Sequence, residues 1–75
     1  MSAVPQGFNE LYKRNYAAIY RVCYIYQHDA EDCTEDAFLK IISTGMTFND
    51  EDHERAWLTV TASNICKDRL KHWWR

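Results

Sequence analysis

The stretch Asp29-Ala-Glu-Asp-Cys-Thr-Glu-Asp-Ala-Phe-Leu-Lys40 decides the fold. Ala30, Cys33, Ala37 and Ile41 recur at helical spacing and share one inward face. Asp29 is a suitable N-cap and Asp32 stands where a capping-box acid reaches back, which starts the helix at Ala30. Glu31 and Asp32 then oppose the positive end of the helix dipole. Asp32, Glu35, Asp36, Leu39 and Ser43 face the other way, with Phe38 and Ile42 along one flank. A solvated helix face accounts for the acids. Two large apolar side chains beside them point to a surface covered by something basic and partly apolar.

On either side of this segment the same period continues. Phe8, Leu11, Tyr12, Tyr16, Ile19, Val22, Cys23 and Tyr26 recur at three- and four-residue steps, which predicts a first helix from about Phe8 to Tyr26, with Lys13, Arg14 and Arg21 off the stripe. Five tyrosines there could form a stacking surface for bases, but at helical spacing they read first as core and core-edge residues. Gln27-His28-Asp29 is a short joint, so the first two helices should pack antiparallel. Gly45 ends the second helix as a C-cap glycine.

Thr44 to His53 reads as the one true loop and carries the exposed-looking apolar residues Met46 and Phe48. Asn49 or an acid just after it caps a third helix, with Asp50, Glu51 and Asp52 in or near its first turn. That helix is expected from about Glu54 to Trp74. Leu58, Ala62, Ile65, Cys66 and Trp73 form its inward stripe, Trp57 and Thr61 one edge, Leu70 the other, and Ser63, Asn64, Lys67, Lys71 and Arg75 the opposite side. Only two glycines and one proline punctuate the 75 residues, too few for a multi-stranded sheet. The expected fold is all-α: a compact three-helix bundle with an extended loop between the second and third helices, preceded by a loose lead-in over residues 1–7.

The formal net charge of −2 hides an asymmetry. Nine acids and one base, Lys40, lie between His28 and Glu54, whereas Arg55 to Arg75 holds five bases and one acid, Asp68. A nonspecific nucleic-acid coat is therefore not expected, while a basic terminal helix suits local phosphate contact; its bases also complement the helix dipole. Cys23, Cys33 and Cys66 have no CxxC spacing and fall on or beside apolar stripes, which reads as buried core in a reducing cytoplasm. Residues 1–7 lack the blocks of a signal peptide, and no run is long enough to span a bilayer. His28, His53, His72 and the cysteines lack paired-ligand spacing, so no metal or other cofactor is expected. Neighbouring Glu35 and Asp36 point in different directions and are not a catalytic pair. No enzyme is expected.

The order Phe8-Asn-Glu-Leu-Tyr12, then the acidic segment, then Arg55-Ala-Trp-Leu58 and Ala62-Ser-Asn64 leading to Asp68-Arg-Leu70, resembles bacterial RNA polymerase sigma factors of the extracytoplasmic-function (ECF) group. The likeness is to their second conserved region, the promoter-melting domain, and runs from Phe8 to Arg75. It implies that Asp32, Glu35, Asp36, Phe38 and Ile42 contact the clamp coiled coil of the polymerase beta-prime subunit. The family's usual Gln-Glu pair reads Glu35-Asp36 here, which makes that face more acidic. The resemblance further implies that the loop receives a base flipped from the non-template strand of the minus-ten promoter element. Phe48, Asn49 and Trp57 would hold that base, and Asn64, Lys67, Lys71 and Arg75 would track the strand. Three consecutive acids beside DNA either serve as caps or accept from a cytosine amino group. An anti-sigma factor is a further partner of such proteins, and the downstream domain that reads the upstream promoter element is absent from these 75 residues, as in an excised domain. The competing reading is a small helical adaptor or inhibitor whose acidic helix binds a basic partner.

Overall fold

The computed structural model describes residues 7–26 and 29–73, with side chains described as far as Lys71. The lead-in before Gly7, the joint residues Gln27 and His28, and Trp74 and Arg75 lie outside the described residues. Three helices form a bundle: α1 (Phe8–Tyr26), α2 (Ala30–Thr44) and α3 (Glu51–Trp73), each in contact with the other two. The all-α expectation holds.

The core is one cluster built from a stripe on each helix. Leu11, Ile19 and Cys23 come from α1, Ala30, Cys33, Ala37, Phe38 and Ile41 from α2, and Leu58, Ala62 and Cys66 from α3. Small residues dominate the α2 and α3 stripes, so the backbones approach closely and the thiols of all three helices meet at one level. Burial first, then contact with the Cys23 and Cys33 thiols, pushes the Cys66 thiol up to about 12. These are inert core groups, as their stripe positions imply.

Three local expectations change. Asp29 begins α2 without a side-chain capping bond; its carbonyl accepts from the Cys33 N–H at 3.0 Å, and Asp32 is drawn toward α3 instead of back to the cap. The third helix starts one turn earlier than its apolar stripe suggests, because Asp50 Oδ1 accepts from the His53 N–H at 2.8 Å and so caps Glu51 onward. The linking loop consequently shrinks to residues 45–50. Phe38, expected to stand exposed beside the acids, is only 2 % exposed. Its ring meets Tyr12 edge-on at 4.8 Å and lies within 6.4 Å of both Phe8 and Tyr16. Aromatic burial against three rings outweighs its flank position.

Candidate functional site

On the outer side of α2 the acids divide into two sets. Asp32 and Asp36 both reach Arg69 of α3: Arg69 Nη1 donates to Asp32 Oδ2 at 3.0 Å and Nη2 donates to Asp36 Oδ2. Burial works against the Arg69 charge, and the hydrogen bond to Asp32 with the charges around it more than offsets this, so its pKa is raised. Glu31 and Glu35 are exposed and have no ion-pair partner among the described residues. Beside Glu35 a shallow apolar groove of about 320 Å³ runs between α1 and α2, lined by Phe8, Asn9, Tyr12, Phe38, Leu39 and Ile42. Leu39 is 56 % exposed at its rim. Of the residues expected on this face, Asp32, Glu35, Asp36 and Ile42 gather here, and Phe38 forms the floor.

The linking loop is held at both ends. Gly45 adopts a left-handed φ of 67°, and the Ile41 carbonyl accepts from the Gly45 and Met46 N–H groups at 3.0 and 3.3 Å, which closes α2. At the far end the Asn49 N–H donates to His53 Nδ1 at 3.3 Å. Met46 and Phe48 are half-buried, not exposed as their loop position suggested. Phe48 meets His53 edge-on at 5.3 Å and Trp57 at 5.6 Å. Asn49 is exposed. Phe48 and Trp57 thus sit together as expected, but they pack on each other, and an open cavity of about 330 Å³ lies on the other side of Phe48, toward Arg14 and Glu51.

Apart from the exposed Asp52, the acids at the loop and the start of α3 take structural roles. Asp50 caps α3, Glu51 lies 3.7 Å from Arg14, and Glu54 is buried at 4 % exposure. Arg14 grips Glu54 with two hydrogen bonds, Nε at 2.9 Å and Nη2 at 2.7 Å. Asn15 Nδ2 donates to the same carboxylate at 2.5 Å, and Arg55 Nε donates to Asn15 Oδ1 at 2.5 Å. Burial alone would raise the Glu54 pKa; the bonds from Arg14 and Asn15 and the charges of Arg14 and Arg55 outweigh it and hold the carboxyl below its usual range. Every described buried side-chain polar atom finds a partner. Sequence reasoning missed this network. Its signal was present: Asn15 lies four residues from both Leu11 and Ile19, and Glu54 four residues before Leu58, so each occupies a core position with a polar side chain.

Along α3, Asn64, Lys67 and Lys71 are exposed and spaced at three- and four-residue steps above the half-buried Trp57, so they form one strip. Arg75, expected to extend it, lies outside the described residues. Arg69 faces α2 and is not part of this strip. Among the described residues no group of three or more His, Cys, Asp or Glu could hold a metal ion, and no helix is long and apolar enough to cross a membrane.

The family described as sigma-70 region 2 matches residues 11–75, which takes in most of α1, all of α2 and all of α3. No curated protein and no solved structure matches the chain. The matched family is not one of enzymes; its members take part in promoter recognition with RNA polymerase core and promoter DNA. The chain belongs to the sigma-70 region 2 family.

Proposed function

We propose that the chain is the promoter-melting region of an ECF-type sigma factor, acting in the cytoplasm. It docks on the beta-prime clamp coiled coil through the outer face of α2 and holds the non-template strand of the minus-ten element with the loop and α3. One observation carries the docking half: α2 leaves Glu35 and Leu39 exposed beside an apolar groove that contains Ile42, while its acids Asp32 and Asp36 are paired with Arg69 within the fold. Charge at the rim of an apolar patch sets register and partner choice more than raw affinity. Asp32 and Asp36 serve the same face indirectly, since any partner base must share them with Arg69.

On the DNA side, the work is trapping. Unstacking a base costs a few kcal/mol, and each base held by stacking returns about 1–3 kcal/mol. Trp57 and Phe48 offer ring surface, Asn49 a polar edge, and Lys67 and Lys71 positive charge for phosphates, with Asn64 between them. At the start of α3 Asp50 is engaged as a cap, Glu54 is paired with Arg14 and Glu51 lies near Arg14, which leaves exposed Asp52 as the acid that turns away from the strand or accepts from a cytosine amino group.

Titration of the chain against the isolated clamp coiled coil tests the docking half. Saturable binding that Glu35→Lys weakens at least about tenfold is the expected result, because reversal sets like charges against each other. No binding by the unaltered chain, or equal binding by the reversal, favours the adaptor reading and removes the docking face.

A further inference from the structure

The turn that opens α3 is closed by a reciprocal pair of hydrogen bonds, and one of them depends on a titratable ring. Asp50 Oδ1 accepts from the His53 N–H at 2.8 Å, and His53 Nδ1 accepts from the Asn49 N–H at 3.3 Å. This is the layout of a capping box, in which the residue three places after the cap reaches back to the chain before the helix. Glutamate or glutamine ordinarily fills that position; histidine fills it here, and it reaches past Asp50 to Asn49. A carboxylate or amide oxygen keeps its lone pairs at neutral pH, whereas an imidazole accepts only while uncharged. In the imidazolium both ring nitrogens carry hydrogen, so neither orientation of the ring can accept from Asn49. The observed bond requires a bare Nδ1 and a hydrogen on Nε2.

What this bond holds is the end of the loop. Asn49 is exposed, so its N–H has water as an alternative and the bond can open without stranding a buried donor. Phe48, the residue before it, meets the His53 ring edge-on at 5.3 Å, and the ring thus engages both loop residues on which strand holding relies. The opposite end of the loop is closed by backbone N–H groups on the Ile41 carbonyl and has no titratable member. The charged neighbours of His53 in the chain are acids: Asp50 and Asp52 beside it, and Glu51 and Glu54, which are drawn to Arg14 of α1. To the cavity behind Phe48, α2 contributes only Ile41 and no charge. A charged ring has Asp50 and Asp52 at hand, so release of Asn49 does not leave it without a counter-charge.

We infer that His53 is a positioning residue of the loop and that its own proton governs the fastening: the neutral ring holds Asn49 beside Phe48, and the imidazolium lets it go. The consequence for nucleic acid rests on the strand-holding reading above and adds regulation to that site. Capture of the non-template strand weakens as pH falls through the interval in which imidazoles take up a proton, roughly pH 8 to 5.

Two measurements on the full chain separate the fastening from its use. Isotope-edited NMR across that interval is expected to find hydrogen on Nε2 alone at the upper end, and the Asn49 amide proton shifting with the same midpoint as the ring. In His53→Asn, whose amide oxygen accepts from the place of Nδ1 without titrating, the Asn49 proton should stay still. Hydrogen on Nδ1 at the upper end, or an Asn49 amide that ignores the ring, overturns the inference.

The second measurement is binding of a random-sequence single-stranded DNA pool to the chain on the clamp coiled coil, read by fluorescence anisotropy. Relative to His53→Asn, the unaltered chain should lose about 2- to 10-fold in affinity from the upper to the lower end. His53→Leu, which keeps a contact for Phe48 but cannot accept, should bind at both ends as the unaltered chain does at the lower. Circular dichroism confirms the fold of each variant. Equal pH profiles for the unaltered chain and His53→Asn overturn the positioning role, as does a gain on acidification, the sign that a phosphate contact by the imidazolium would give. No strand binding at either end, with the NMR coupling present, removes the strand-holding reading and leaves the fastening intact.

Discussion

Glu54 is the residue on which α1 and α3 meet, and it is a carboxylate placed where the pattern of its helix calls for a hydrocarbon. A buried charge is tolerated only when its oxygens are fully paired, and here a two-pronged arginine and an asparagine amide supply that pairing. Because the carboxyl is held below its ordinary value of 4.5, the ionised form belongs to the fold. Its contribution is complete above the ordinary carboxylate range and fades as pH falls through the lowered folded value. Glu54→Gln should therefore reduce unfolding free energy at pH 7 by about 1–3 kcal/mol and flatten the acid limb, read from urea midpoints between pH 7 and 3. A variant as stable as the parent at both ends refutes this role. The apolar half of the core was legible from spacing alone, since Leu58, Ala62 and Cys66 fall on one stripe. Asn15 and Glu54 were not, because periodicity counts polar residues as outward unless their partner is known, and the partners lie about 40 positions away in the chain.

Among the elements, α2 and the loop that follows it carry most of the functional geometry. The end of α2 was readable because a lone glycine after an apolar stripe has one ordinary use, and Gly45 takes it with φ 67°. A Cβ at Gly45 meets nothing within 4 Å, so the penalty for a side chain is conformational alone. Gly45→Ala should lower stability by about 1–2 kcal/mol, and Gly45→Asn by less, because asparagine tolerates the left-handed region; thermal unfolding of the three chains checks the order. The start of α3 was placed a turn late because the acids Glu51 and Asp52 look like loop, whereas a capped first turn is where acids are most favourable. Phe38 was misplaced for a related reason. A flank position is exposed or buried according to what the neighbouring helix presents, and α1 presents three rings.

At the level of the whole molecule, the division of charge along the chain becomes a division in space: acids on the outer side of α2, lysines on the strip of α3. That asymmetry was legible in the order of residues, but its internal pairing was not, since Arg69 belongs by sequence to the basic tail and by structure to the acids of α2. The two sides should therefore separate experimentally. Lys67→Ala/Lys71→Ala in the polymerase complex is expected to leave core binding unchanged and to reduce the slope of log affinity for single-stranded promoter DNA against log salt by about 0.7 per lysine removed. An unchanged slope excludes both lysines from phosphate contact. The loop between these faces is fastened at Ile41 on one side and at Asp50 and His53 on the other, with Phe48 wedged against Trp57. A segment fixed in this manner surrenders its chain freedom during folding and has little left to lose when a ligand arrives. Occupancy of the loop should then change amide exchange there only slightly, and discrimination between bases should rest on shape and not on the ordering of a floppy clasp.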